Sequence, residues 1–212
     1  MYISQPQSIE DKSFEIIQDV ISEARPNYQF MDLWQEKVVK RCIHTTADFD
    51  WLDILRFSPG ISEIIFNALR SGVTIYTDTN MALSGLNKIR LDKLGCRYNC
   101  YVAETSIRET AHNKNITRSM AAVEQAVQER GEKLFVFGNA PTALFRLLEL
   151  YHAGKVKPVA VIGVPVGFVG AKESKDALMQ TDIPFIAASG RKGGSNVAAA
   201  IINAFLYSIK LN

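Results

Sequence analysis

The chain has 212 residues, 47% of them apolar and 22% charged, a length and composition that fit one domain with a sizeable core of its own. Its 24 basic and 22 acidic side chains leave a formal charge of +2, too balanced for a dedicated nucleic-acid surface, which would carry a clustered basic excess. The longest apolar run, 159–171, is 13 residues broken by Gly and Pro, whereas a membrane span needs about 20.

The first fifty residues read as helical. Ser8 begins an S-x-x-D capping pattern, and Phe14, Ile17, Val20 and Ile21 follow at helical period. After Pro26 a second helix is expected over 31–46, with Leu33, Trp34, Val38 and Val39 as its core face. Pro59 suits the first turn of a third, with Ile61, Ile64, Ile65 and Leu69 inward and Gly72 just past its end. Then the period changes. Short β-branched and aromatic runs at 73–77, 98–102, 134–137, 159–162 and 185–187 read as strands. The last three are almost wholly apolar, as strands buried on both faces must be. Helical stretches at 117–130, 142–153, 171–179 and 196–209 separate or follow them. The expected fold is α/β: a mainly parallel central sheet of about five strands with helices on both faces, plus an N-terminal helical segment. The whole of 1–212 forms a single domain.

Ligands of such sheets bind beyond the carboxyl ends of the strands. Here those ends carry TDTN from Thr77, GNAPT from Gly138, GVPVGFVGAKES from Gly163 and SGRKGGSN from Ser189. Glycines let a ligand approach the backbone, and amides at a helix start favour anions. Several such loops at one edge suggest a large ligand with several anionic groups. Nucleotide motifs fail when tested. Gly163, Gly167 and Gly170 give GxxxGxxG, with Pro165 where the dinucleotide fingerprint needs its second glycine, and GRKGGS is no P-loop. Cys42, Cys96 and Cys100 make no complete disulfide set and no metal-ligand spacing. They suit a reducing cytoplasm, and 1–12 lacks the apolar core of a signal peptide.

Histidine is the side chain suited to proton transfer near neutral pH, and there are three. His152 sits at a helix end before Gly154, and His112 lies in a polar stretch, 110–114, that reads as loop. His44, in Arg41-Cys-Ile-His-Thr-Thr, is three residues from Arg41, so both project from one helix face. His44 is the candidate catalytic group.

Taken together, RCIHTT from Arg41, DTNM from Asp78, GNAPTAL from Gly138, GVPVGFVGAKESKD from Gly163 and GRKGGS from Gly190 resemble the precorrin-8X methylmutase family, whose anaerobic members are called cobalt-precorrin-8 methylmutases. The resemblance covers nearly the whole chain. It implies an isomerase of cobalamin biosynthesis, which moves a methyl group from carbon 11 to carbon 12 of ring C and gives hydrogenobyrinate or cobyrinate. Because the shift is intramolecular, it implies no cofactor and no metal held by the protein. It also implies a corrinoid substrate and product rimmed with carboxylates, and a cytoplasmic homodimer with pockets at the protomer interface. The family's catalytic histidine falls on His44, and its substrate contacts fall on Ser13 and Arg41.

Further substrate contacts are expected from the residues themselves. Arg118 would stand in a helix's first turn, where the dipole disfavours a cation unless a ligand offsets it. Asn87 and Lys88 could reach the same pocket, and Arg191 precedes the last helix among the glycines. Asp78 reads as a cap for the helix after the first strand. The rival function is a non-catalytic corrinoid or tetrapyrrole carrier on the same fold, which would not need His44.

Overall fold

In the computed structural model, which describes residues 5–211, six strands form one sheet. They are β1 (Leu55–Phe57), β2 (Thr74–Thr77), β3 (Arg97–Asn99), β4 (Lys133–Phe137), β5 (Ala160–Gly163) and β6 (Phe185–Ala188), in the order β1-β6-β5-β4-β2-β3. Every neighbouring pair is parallel except β1 with β6, which runs antiparallel with Leu55 opposite Ala188. Successive residues of a strand face opposite ways, so the central strands supply two cores. Ile75, Leu134, Val136, Ile162 and Ile186 face one side. Tyr76, Phe135, Phe137, Val161 and Phe185 face the other.

Eleven helices surround the sheet among the described residues: α1 (Pro6–Ala24), α2 (Leu33–Thr46), α3 (Trp51–Ile54), α4 (Ile61–Arg70), α5 (Asn80–Gly85), α6 (Lys88–Lys93), α7 (Thr105–Lys114), α8 (Arg118–Gln128), α9 (Pro141–His152), α10 (Ala171–Met179) and α11 (Ser195–Ser208). The first face is covered chiefly by α2, α4 and α11, the second by α8, α9 and α10. The innermost helix is α11. It buries Val197, Ile201, Ile202, Phe205 and Leu206 against the sheet and against α2, where Trp34 stacks on Phe205 at 5.4 Å between ring centroids. Burying each such side chain stabilises the fold by about 1.5–3 kcal/mol.

The expected α/β sheet is present with one more strand than anticipated. β1 is a three-residue edge strand that exists through its pairing with β6, and it follows α3 without a break, so it is too short to show a strand period of its own. Four local expectations are corrected. α1 begins at Pro6, so Ser8 lies inside the helix and caps nothing; the cap position is Gln5, and proline's fixed φ suits the first turn. Leu33 is the first residue of α2 and stays 61% exposed, while the buried stripe is Val38, Val39, Cys42 and Ile43. Pro59 precedes α4, whose cap is Gly60 at φ +70°. Residues 110–114 are the last turns of α7, which place exposed His112 on a helix near its C-terminus.

Candidate active site

The loops leaving β2, β4, β5 and β6 meet at the carboxyl edge of the sheet, and backbone chemistry holds them together. The buried carboxylate of Asp78, just past β2, accepts the amides of Gly138 at 2.9 Å, Asn139 at 2.7 Å and Ala140 at 2.6 Å. Asp78 therefore shapes the loop after β4. The α5 cap is its neighbour Thr79, which accepts from Ala82, so the capping expectation for Asp78 is corrected. Burial pushes the Asp78 carboxyl above its usual range, and the three amides pull in the opposite direction. The Thr79 hydroxyl also meets that of Ser195, at the start of α11, at 2.8 Å. Two glycines are obligatory here. A Cβ on Gly138 would lie 2.6 Å from Ser195 Cα, and one on Gly193 would lie 2.0 Å from the Val164 carbonyl oxygen.

The end of α2 is tied to this edge. The ammonium of Lys192, between β6 and α11, pairs with the carboxylates of Asp48 and Asp50, the latter at 2.6 Å. Asp48 follows directly on Ala47, the αL cap of α2, and Asp50 lies two residues further on. His44 occupies the final turn of that helix and is exposed. Its imidazole stacks on Phe14 of α1, with ring centroids 5.3 Å apart and planes 12° apart. The guanidinium of Arg41 lies over the same Phe14 ring at 4.7 Å, and over Tyr207 of α11 at 4.8 Å. Its Nη2 donates to Glu10 at 2.6 Å, while its Nε is buried with no hydrogen-bond partner. Arg41, Phe14 and Tyr207 line a groove of about 580 Å³ between α1, α2 and α11, together with Lys37, Lys40 and Lys210 and the acidic Glu10, Asp11 and Glu36.

Ser13 adjoins Phe14 on α1, and its hydroxyl donates to the Ile9 carbonyl at 2.7 Å. Arg118 is the exposed first residue of α8, whose cap Thr117 meets Thr142 of α9 at 3.1 Å, just beyond the loop that Asp78 holds. Arg191 is exposed on the loop after β6. Asn87 and Lys88 lie elsewhere. The Asn87 backbone amide donates to Asn203, eight residues and about 12 Å along α11 from Ser195. The Asn87 side chain caps α6 through Arg90, and the Lys88 ammonium lies 5.8 Å from the Tyr98 ring. Arg90 instead approaches the Tyr207 ring, at 5.7 Å. Thus Ser13, Arg41 and His44 gather at the α1–α2 face, Arg118 and Arg191 stand at the carboxyl edge, and Asn87 and Lys88 join neither group. Sequence reasoning missed Tyr207 and Glu10, and took Phe14 as core. Both Phe14 and Tyr207 are amphipathic-helix aromatics whose second role depends on a cation from another helix.

The whole chain is similar to proteins already known. A family model described as "Precorrin-8X methylmutase" matches residues 8–208. The cobalt-precorrin-8 methylmutase of Salmonella typhimurium is 57% identical over 210 residues, 99% of this chain and 98% of its own length. The precorrin-8X methylmutase of Pseudomonas aeruginosa is 38% identical, covering 96% of each chain. A solved precorrin-8X methylmutase from Thermus thermophilus superposes with a TM-score of 0.84 at 35% identity, covering 95% of each chain.

Proposed function

The chain belongs to the precorrin-8X methylmutase family, and from that premise we propose which of its residues perform the family's reaction. The protein is an isomerase of cobalamin biosynthesis. It moves a methyl group from carbon 11 to carbon 12 of ring C of precorrin-8X or cobalt-precorrin-8, giving hydrogenobyrinate or cobyrinate. One carbon–carbon bond breaks and another forms within one molecule, so no external methyl donor enters.

His44 is the reactive group. It donates a proton, or a hydrogen bond, to ring C, drawing electron density out of the conjugated system and lowering the barrier to methyl migration. The observation that carries this reading is the Phe14 ring, which packs against the His44 imidazole and the Arg41 guanidinium alike. Arg41 binds a carboxylate of the macrocycle rim. Its fork already holds one carboxylate, that of Glu10, and a substrate carboxylate exchanges for or joins it. Lys37 and Lys210 at the groove add cations for the rest of the rim, while Lys40 is paired with Glu36. Ser13 reaches substrate when its hydroxyl leaves the Ile9 carbonyl, and Arg118 and Arg191 take carboxylates from the carboxyl edge. For Asn87 and Lys88 a contact to the same ligand requires it to extend along α11.

The protein acts as a cytoplasmic homodimer. Support comes from exposed apolar side chains on the loop after β5, where Phe168 is 87% and Val169 is 90% exposed. A second copy seated there would wall off the open carboxyl edge. The test of the activity is incubation with precorrin-8X and with its cobalt form, followed by absorbance spectra, because methyl migration changes the conjugation. Unchanged spectra with both compounds would overturn the reading.

A further inference from the structure

Lys175 is fully buried in α10, and its ammonium donates to the backbone carbonyl of Lys192 at 2.8 Å. Its place beneath the 190–194 loop is unusual on energetic grounds. A buried cation carries a desolvation cost that an apolar side chain of similar volume would avoid. Fold stability therefore does not account for a lysine at this position, whereas the shape of the loop above it does.

That loop is rich in conformational freedom, with Gly190 at φ +79° and Gly194 at φ +139°. Three bonds pin it. Gly194 donates to the Val164 carbonyl at 3.0 Å, Gly167 donates to the Arg191 carbonyl at 3.1 Å, and Lys175 takes the carbonyl of Lys192 between them. The Lys192 side chain then leaves the loop and pairs with Asp48 and Asp50. Those residues are themselves tied to the end of α2. Asp50 donates its amide to the Asp48 carboxylate at 2.9 Å, and the Thr46 hydroxyl accepts from the Asp48 amide at 3.3 Å and from Trp51 Nε1 at 2.8 Å. Thr46 is the last residue of α2, two beyond His44.

We propose that Lys175 is a positioning residue for the methyl shift, holding through Lys192 the end of α2 that carries His44. The proposal rests on the assignment of His44 above. Lys175 touches no substrate in it. It fixes the carbonyl from which the Lys192 side chain springs, and so the distance between the two aspartates and the sheet edge.

The test uses Lys175→Met and Lys192→Gln in the full-length protein, with Lys172→Gln, an exposed lysine of α10 paired with Asp176, as control. The His44 imidazole resonance is assigned as the signal missing from His44→Ala. The expected result is that Lys175→Met melts no lower than wild type and Lys192→Gln, which gives up two partly exposed ion pairs, only slightly lower, and that both shift that resonance and lose about tenfold or more in kcat with KM little changed, as displacement of a reacting group predicts. The double variant should lose no more than the greater single loss, because both substitutions cut one line. Lys172→Gln should change nothing. An unmoved His44 resonance with full kcat in Lys192→Gln overturns the proposal, and it does so even if Lys175→Met fails to fold. Lower melting with an unmoved resonance in Lys175→Met overturns it as well, in favour of a packing role. If His44→Ala itself turns over normally, the catalytic assignment fails, while the resonance still judges the tether.

Discussion

The imidazole of His44 lies nearly parallel to the ring of Phe14, 12° between planes and 5.3 Å between centroids, and the Arg41 guanidinium shares that ring. One α1 side chain therefore sets the frame for two α2 side chains that sit one helical turn apart. Rotation of α1 against α2 would move the proposed acid and the proposed carboxylate clamp together.

Arg41 and Glu10 give opposite predictions. Arg41→Ala should weaken product binding roughly tenfold to a hundredfold, the value of a charge-assisted bidentate contact, and should flatten its dependence on salt. Glu10→Gln removes the resident carboxylate from the clamp. It should tighten product binding about two- to fivefold, since a partly exposed ion pair is worth up to about 1 kcal/mol. Titration of the coloured product into both variants at two salt concentrations checks this. Equal affinity in Arg41→Ala and wild type would make Arg41 a structural cation.

Asp78 should behave as a keystone of the carboxyl edge. Asp78→Ala leaves three amides without their acceptor, two of them in the buried residues Gly138 and Ala140 at about 1–3 kcal/mol each, so a total loss of about 2 kcal/mol or more is expected. Asp78→Asn should lose less. Its oxygen can serve Asn139 and Ala140, while its NH2 opposes the Gly138 amide. Urea midpoints measure both, and a loss below about 1 kcal/mol in Asp78→Ala would show that water replaces the carboxylate.

Lys175 gives a pH-dependent signature. Burial pulls its ammonium down to about 8 from 10.5. The folded state thus binds fewer protons than the unfolded state between those values, and stability from this group rises with pH across that window. Below pH 8 the cost of burying the charge is fully present. Lys175→Met should therefore be at least as stable as wild type at pH 7, with its advantage shrinking from pH 8 to 10.5. Urea unfolding at four pH values reads this, and a gap constant with pH would contradict it.

The assembly prediction falls on the loop after β5. Phe168→Ser should dissociate the proposed dimer while leaving the monomer folded, because Phe168 is 87% exposed in its own protomer. Light scattering and circular dichroism together check it. A wild-type protein that is monomeric and fully active at assay concentration would refute the shared-site arrangement.

Much of this architecture is readable from local signals. β4, β5 and β6 are buried at every position because helices cover both faces, and apart from Lys133 at the start of β4 they carry no charged or polar side chain; α10 runs from Ala171 to Met179 as its residues imply. β1 escapes because a three-residue edge strand is defined by its partner. α7 escapes because it buries only Ile107 and Ala111, too little for a visible stripe. In the site, the spacing of Arg41 and His44 is a property of one helix and is legible. Their shared contact with Phe14, the Glu10 pair and the Tyr207 ring join three helices, and no local pattern announces them. The role of Asp78 is hidden for the same reason, since its partners are backbone amides 60 and more residues away.

The central claim is that His44 supplies the proton or hydrogen bond for methyl migration. Its most direct test is single-turnover absorbance of wild type and His44→Ala mixed with precorrin-8X and, separately, with its cobalt form. The account predicts that the variant still binds the corrinoid, with affinity changed far less than rate, and that migration slows by roughly two to four orders of magnitude, as for loss of a general acid. A near-normal single-turnover rate in His44→Ala would contradict it.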